Sequence, residues 1–423
     1  MSEGDGDPEA RGTFTKASVR DAEVTGRRVL VRVDFNVPLA EGGAYGGRVT
    51  DDTRIRAALP TIELLRERGA KIVLVSHLGR PKGEVDPQLS MAPVATRLSE
   101  LLGAGVRVAQ GVAGDGVERE VGELAPGEVL LLENSRFEPG ETRNDPDFAA
   151  ALAGLADVYV DDAFGAAHRA HATTEGVAHH LPGYAGLLLE REVRELTAVR
   201  DAPAPPLCVV LGGAKVTDKI GVIERFLETA DRILIGGAMC FAFFRAQGIE
   251  TGSSLVEAEG VDLARGVLER ASASDCELEL PLDLVLGRGF DAATEVRALD
   301  GVEVPEGWMG LDVGPRTVAR YADAIAAAGT VFWNGPMGAF ELDPFAAGTR
   351  GVAEAVAAAG GFTVVGGGDS AAAMAQFGLA DRVDWLSTGG GASLELMEGR
   401  ELPGVEVLLD RDRAASEQAK QGK

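Results

Sequence analysis

The chain has 423 residues, more than one hydrophobic core usually organises, so two domains of ordinary size are expected. Its 45% hydrophobic and 25% charged residues are the composition of a globular protein and exclude a largely disordered chain. With 66 acidic against 41 basic residues the formal charge is −25, which argues against general affinity for DNA, RNA or anionic membranes and requires any anion site to be local.

The start, Met1–Ala10, is acidic and has no apolar core, unlike a signal peptide, and no apolar run reaches membrane-spanning length, so a cytoplasmic protein is expected. From there β-rich runs alternate with helical patterns: a strand over Arg28–Phe35, a helix over Thr53–Arg68, a strand over Lys71–Ser76, a helix over Ala92–Leu102, then strands over Val129–Glu133 and Val158–Val160. Alternation of this kind predicts a parallel sheet with crossover helices. Leu187–Arg200 reads as a charged amphipathic helix that the prolines of Ala202–Pro206 break, and a hinge is placed there. The second half repeats the scheme with strands at Leu207–Leu211, Arg232–Ile235, Thr330–Trp333 and Phe362–Val365. The expected fold is therefore α/β, two doubly wound parallel-sheet domains over 14–186 and 206–400, joined by a hinge helix and linker over 187–205. Both ends, Met1 to about Thr13 and Arg411–Lys423, are polar and expected to be loose. Cys208, Cys240 and Cys276 are too widely spaced for a CxxC pair and read as buried small hydrophobes of a reducing interior.

In open parallel sheets ligands bind beyond the carboxyl ends of the strands. In the first half those ends read Asp34-Phe35-Asn36, Ser76-His77-Leu78-Gly79-Arg80-Pro81, Glu133-Asn134-Ser135-Arg136-Phe137 and Asp161-Asp162-Ala163-Phe164, followed by His168-Arg169-Ala170-His171. Arg54 opens the helix after the first strand. Arginines gathered at strand ends of so acidic a chain point to a polyanionic ligand, because the planar guanidinium fork fits phosphate and carboxylate. One such arginine alone more often pairs with a neighbouring acid; several in equivalent positions favour a ligand site. His168 and His171 lack a carboxylate or cysteine at ligand spacing, which argues against zinc, and His179-His180 reads as a solvated loop pair.

The second half ends its strands in glycines: Gly212-Gly213-Ala214-Lys215, Gly236-Gly237-Ala238, Trp333-Asn334-Gly335-Pro336 and Gly366-Gly367-Gly368-Asp369-Ser370. Glycine lets backbone N–H groups approach phosphate oxygens, so this half is read as nucleotide-binding. Lys215 and Lys219 are spaced to share one helix face and to reach successive phosphates, in a chain with only seven lysines. Asp369 at a helix start would repel phosphate without an intervening cation, which makes it a candidate Mg²⁺ ligand, with a helix N-cap as the alternative. Gly366–Ala371 also satisfies GxGxxA, the mark of a nicotinamide-dependent dehydrogenase, but Asp369 would crowd a metal-free pyrophosphate. No GxxxxGK[ST] occurs, which excludes a Walker A kinase, and a non-catalytic nucleotide-binding module leaves the basic cluster unexplained.

Taken in order, Arg32-Val33-Asp34-Phe35-Asn36-Val37-Pro38, Ser76–Pro81, Asp162-Ala163-Phe164 with His168–His171, Gly213-Ala214-Lys215-Val216, Trp333–Pro336 and Gly366–Asp369 resemble phosphoglycerate kinase over about Val19–Leu409. The resemblance implies reversible transfer of a phosphoryl group between 1,3-bisphosphoglycerate and ADP, giving 3-phosphoglycerate and ATP, by a monomer that closes about its hinge. It places the phosphoglycerate on Asp34, Phe35, Asn36, Arg54, His77, Leu78, Gly79, Arg80, Arg136 and Arg169 of the first domain. The nucleotide goes to Lys215, Lys219, Gly237, Gly310, Asn334, Glu341, Gly367, Gly368, Asp369 and Ser370 of the second, with Asp369 on Mg²⁺. It further implies that 401–423 returns to the first domain. Asp161 stands where the family usually has Asn, Ser370 where Thr is commoner, and the acidic N-terminal extension has no obvious counterpart. An in-line transfer needs alignment and charge neutralisation, not a nucleophilic residue, and the clamp is assigned to Arg54, Lys219, Mg²⁺ and the N–H groups of Gly367 and Gly368. The acid excess, finally, leads to the expectation of a halophilic enzyme working in a high-salt cytoplasm.

Overall fold

The computed structural model describes residues 14–42 and 46–413. The N-terminal stretch through Thr13 and most of the Arg411–Lys423 tail, both expected to be loose, lie outside the described residues. The described chain divides into two compact units: one takes in everything up to Arg194 together with the segment from Glu401 onward, and the other runs from Glu195 to Arg400.

The first unit is built on β1 (Arg28–Arg32), α1 (Thr53–Glu67), β2 (Lys71–Val75), α2 (Ala92–Leu102), β3 (Val106–Val108), α3 (Asp115–Gly122), β4 (Val129–Leu131), α4 (Pro146–Gly154), β5 (Val158–Asp161) and β6 (Gly183–Ala185). Its six strands form one parallel sheet in the order β3-β4-β2-β1-β5-β6. Runs such as RVLVR and VLL are apolar because both faces of the sheet are covered; Val29, Val31, Ile72 and Leu74 are fully buried against Ile62 and Leu65 of α1. Strand β1 stops short of the expected Phe35 because the Phe35 N–H turns to Ser76 Oγ at 2.9 Å, and Val37 N–H folds back on the Phe35 carbonyl. Strand β4 stops at Leu131, and Glu133 beyond it accepts from Ser90 Oγ (2.8 Å) and Met91 N–H (2.7 Å) at the start of α2.

Helix α5 (Leu187–Asp201) carries the division between the units. Its first turn is capped by Asp162, whose Oδ1 accepts from Leu188 N–H at 2.9 Å and Leu189 N–H at 3.3 Å. The segment from Glu401 is stitched into the first unit: Leu409 accepts from Ala17 N–H at 2.7 Å and donates to the Gly183 carbonyl at 3.0 Å, and Lys16 Nζ meets Asp410 at 3.0 Å.

The second unit contains β7 (Leu207–Leu211), α6 (Ile220–Leu227), β8 (Arg232–Ile235), α7 (Cys240–Ala246), α8 (Ala258–Ser272), β9 (Glu277–Glu279), β10 (Leu284–Gly287), β11 (Val296–Leu299), β12 (Met309–Val313), α9 (Pro315–Ala326), β13 (Thr330–Asn334), α10 (Ala347–Ala358), β14 (Phe362–Gly366), α11 (Gly368–Gln376), β15 (Trp385–Leu386) and α12 (Gly390–Met397). A parallel sheet runs β15-β14-β13-β7-β8-β9, with Trp333, Tyr321, Val352 and Met374 in one core beside it. A separate antiparallel sheet, β11-β10-β12, was not foreseen. In each parallel sheet the chain reverses direction of travel once, between β1 and β5 in the first and between β7 and β13 in the second. Those switch points open crevices at the strand ends, where a ligand can enter. Among the described residues no helix is long and apolar enough to cross a membrane, and Cys208, Cys240 and Cys276 are free and buried.

Candidate functional site

At the first switch point the residues after β1 are tied to those after β2. Arg54, from the first turn of α1, donates to Asp34 Oδ2 at 2.7 Å; Asn36 N–H donates to Asp34 Oδ1 at 3.2 Å; Gly79 N–H donates to Asn36 Oδ1 at 2.9 Å. Gly79 adopts φ 60°, and a side chain there would meet Leu89, so the turn requires glycine. Arg136 Nη1 donates to the Gly79 carbonyl at 2.7 Å, and Asn134 braces the same loop through Leu78. Arg80, Arg136 and Arg169 line one cavity of about 520 Å³, together with Lys82, Arg143 and His171. The structure thus brings Asp34, Asn36, Arg54 and Gly79 into one hydrogen-bonded group, with Arg136 attached to it. Phe35 and Leu78 are instead buried in the core.

Charge organises this crevice. Burial works to raise the Asp34 carboxyl, but His77, the guanidinium groups of Arg54 and Arg32 and the Asn36 N–H outweigh it and hold it below the usual range. Burial drives His77 well below its ordinary value despite nearby Asp34, and Arg32, Arg136 and Arg54 add to the effect. The His171 ring, half-buried among Arg136, Arg32 and Arg169, is pushed down to about 4.

At the second switch point, glycines form the walls. Gly237 (φ 66°) lies so close to Gly213 that a Cβ would meet its nitrogen at 2.4 Å, and a Cβ on Gly310 would strike the Phe241 ring. Asn334, at the end of β13, holds Lys219 Nζ through Oδ1 and the Gly366 carbonyl through Nδ2 (2.9 Å). Ser370 Oγ accepts from Gly335 N–H at 2.6 Å, which joins the first turn of α11 to the turn after β13. Gly367 (φ 94°) precedes α11, so the free N–H groups of Gly368 and its neighbours face outward beside Asp369. A cavity of about 520 Å³ opens here, lined by Gly213, Gly237, Gly310, Glu341 and Asp369. Phe290 and Leu255, 67% and 59% exposed, form its apolar rim.

Lys215 and Lys219 do not share a helix face, contrary to expectation. Residues 214–216 are irregular, 217–219 form a turn, α6 begins only at Ile220, and Lys219 N–H closes onto the Val216 carbonyl at 3.0 Å. Lys219 is turned inward at 7% exposure, whereas Lys215 stays in solvent and pairs with Glu257 at 3.2 Å. Burial lowers Lys219 to about 8, against the pull of Asp218 and Asp369. Asp369 is not a helix cap: the cap position is Gly367 and no side chain caps α11.

Sequence reasoning missed four groups. Arg32, Glu141 and Thr173 form a buried network behind His77. Asp312 lines the glycine-walled cavity, pushed up to about 8 by burial, and accepts from Gly348 N–H (2.6 Å) and Val313 N–H (2.9 Å). An acid inside the apolar strand MGLDV was the available signal.

A basic crevice shaped for a small polyanion on one parallel sheet, and a glycine-walled crevice on another, define a phosphotransferase of the two-domain α/β class. The chain belongs to the phosphoglycerate kinase family, whose sequence profile matches residues 19–400. It is 58% identical over 397 residues to the phosphoglycerate kinase of Rubrobacter xylanophilus, an alignment covering 94% of this chain and 99% of the relative. The Chloroflexus aurantiacus enzyme is 52% identical over 94% of this chain and 100% of its own. The structure of phosphoglycerate kinase from Coxiella burnetii superposes with a TM-score of 0.81 at 39% identity, covering 93% of this chain and 98% of that one. That from Pyrococcus horikoshii gives 0.83 at 31%, covering 95% and 99%. The activity is that of the family: phosphoryl transfer between ATP and the carboxyl group of 3-phosphoglycerate, a step of glycolysis.

Proposed function

We propose that the first unit binds 3-phosphoglycerate or 1,3-bisphosphoglycerate and the second unit binds MgADP or MgATP, with direct in-line transfer between them. The observation that carries this reading is the convergence of Arg80, Arg136 and Arg169 on one cavity in a chain of net charge −25. Arg80, Arg136 and Arg169 hold the phosphate end of the phosphoglycerate, and Asp34, Asn36 and His77 meet its hydroxyl and carboxylate. Lys219 and the N–H groups of Gly367 and Gly368 take the transferring phosphate from the nucleotide side, Arg54 from the substrate side. Lys215 reaches the nucleotide by leaving Glu257. Gly237, Gly310, Asn334, Glu341 and Ser370 complete the nucleotide site.

No general base is needed, because the attacking phosphate and the departing carboxylate are both ionised at neutral pH. Donors on both units require closure during turnover, and exclusion of water then protects the acyl phosphate from hydrolysis. We place the hinge in α5 and the Ala202–Pro206 linker.

Among the described residues no three carboxylate, histidine or cysteine side chains gather as a metal cage. An exposed carboxylate, Asp369, beside the N–H groups at the start of α11 fits Mg²⁺ that arrives with the nucleotide and keeps its waters. Asp369 would hold Mg²⁺ there, and the ion would supply neutralisation of phosphate charge. The chain acts as a cytoplasmic monomer. A coupled assay with 3-phosphoglycerate and MgATP tests the reading: turnover dependent on both supports it, and nucleotide binding without turnover overturns it.

A further inference from the structure

We propose that Arg32 is a positioning residue that locks His77 as a neutral ring with its proton on Nε2, so that the ring meets the phosphoglycerate as an uncharged hydrogen-bond donor. The inference rests on the reading that His77 touches that substrate. Arg32 is the last residue of β1 and is 1% exposed, yet it forms no direct ion pair among the described residues. Its Nη2 lies 3.0 Å from His77 Nδ1. A guanidinium has five N–H donors, no acceptor and no accessible neutral form, so the bond has one possible direction and Nδ1 must present its lone pair. A neutral imidazole with a bare Nδ1 carries its proton on Nε2. The bond at Nδ1 is the His77 side-chain hydrogen bond found among the described residues, which leaves Nε2 for a ligand.

What fixes Arg32 is equally directional. Its Nε donates to Thr173 Oγ1 at 2.8 Å, and its Nη1 donates to the Val33 carbonyl. The Thr173 hydroxyl in turn donates to Glu141 Oε1 at 2.7 Å, and Thr173 N–H donates to Glu141 Oε2 at 3.1 Å. Glu141, fully buried, therefore balances Arg32 through a hydroxyl, not by contact, and Nη2 stays available to the ring. Tyr159 pins Thr173 from the other side, donating to its carbonyl at 2.8 Å. The charged groups facing His77 are Asp34, which favours a cationic ring, and Arg32, Arg136 and Arg54, which oppose it. Burial sides with the arginines. Contact with the substrate is thereby separated from charge: the arginines neutralise the anion, and His77 supplies orientation that does not vary with pH near neutrality.

The test is a long-range ¹H–¹⁵N correlation spectrum of the full-length enzyme without substrate. His77 is expected to show a bare Nδ1 and a protonated Nε2 throughout pH 5.5–8; a protonated Nδ1 or a cationic ring in that range overturns the proposal. Arg32→Met removes the donor that keeps Nδ1 bare while burial, Arg136 and Arg54 still oppose a cationic ring, so the free variant should show His77 as a mixture of Nδ1–H and Nε2–H neutral tautomers and the KM for 3-phosphoglycerate should rise several-fold with kcat nearly unchanged. An Arg32→Met enzyme that folds and keeps the parent tautomer also overturns it. Should that variant not fold, Thr173→Val removes only the hydroxyl anchor and is expected to broaden or shift the same resonances; an unchanged spectrum counts against the network. The spectrum of the free enzyme does not depend on where substrate binds. That underlying assignment is checked apart, by whether 3-phosphoglycerate shifts the Nε2 resonance.

Discussion

Arg54 Nη1 donates to Asp34 Oδ2 across 2.7 Å, so the cation expected to act on the transferring phosphate is already held by an acid at the same strand end. Its partner positions it, and acting on the phosphate requires a shift of that contact. Arg54→Ala should leave the KM for 3-phosphoglycerate within a few-fold and lower kcat by roughly two to three orders of magnitude. Arg80→Ala should do the reverse, raising that KM about tenfold with little loss of kcat. Steady-state kinetics decides both; a near-normal kcat for Arg54→Ala removes it from the clamp.

Lys219, lowered to about 8 by burial, should make nucleotide binding pH-dependent. Phosphates prefer the ammonium form, so binding takes up a proton above about pH 8, and affinity for ADP should fall about tenfold for each further pH unit. Calorimetry at pH 7, 8 and 9 in buffers of different ionisation heat measures the uptake. Lys219→Arg, which stays charged, should bind with no such slope.

Asp369→Ala should weaken MgADP far more than metal-free ADP, by about tenfold against less than twofold. Titration calorimetry with and without Mg²⁺ gives the comparison, and equal losses would show that Asp369 does not hold the metal.

Asp161 and Asp162 sit side by side, fully buried, pushed up to about 7 and about 8 by burial. A carboxyl whose folded value lies above its unfolded value contributes stability that is fully present below the unfolded value near 3.8 and is lost as pH rises through the folded one. Asp161→Asn, the residue expected from the family resemblance, removes that loss. The variant should match the parent at pH 4 and gain on the order of 2 kcal/mol at pH 8, a rise of a few degrees in Tm. Thermal melts at the two pH values check it; a gain of equal size at both would point to packing instead of ionisation.

The acid excess of 66 over 41 should make stability salt-dependent. At about 1 M salt the screening length falls to about 3 Å, so most carboxylate repulsion is removed. Tm should climb from dilute buffer into molar KCl, while the KM for 3-phosphoglycerate rises as its attraction to the arginines is screened. A flat or falling Tm rejects a high-salt adaptation.

The long buried strands were the easiest features to read. Leu207–Leu211 and Arg232–Ile235 match to the residue, because a parallel strand covered on both faces is an unbroken apolar run with glycine or a charge at its end. Strands β3, β6 and β9 span three residues each and carry too few side chains for any period to show. Strand β11 is largely exposed and has no apolar signature at all. Motif residues such as Asp34, Gly79 and Gly367 announce themselves by position after a strand. Glu141 and Thr173 do not, since they act from a loop through a side-chain relay whose members are 32 residues apart. The spacing of Lys215 and Lys219 misled because two glycines before them let the chain turn instead of entering a helix at once.

The first unit is closed by residues near the end of the chain, for the main chain of Leu409 bonds to both Ala17 and Gly183. A ribosome therefore finishes the whole second unit before the last stitch of the first emerges. During synthesis the nascent N-terminal half waits with unpaired edge groups at Ala17 and Gly183, and it depends on some 200 later residues arriving before it is complete. A nascent chain arrested just before Leu402 should accordingly be far more open to protease in its first unit than the released protein.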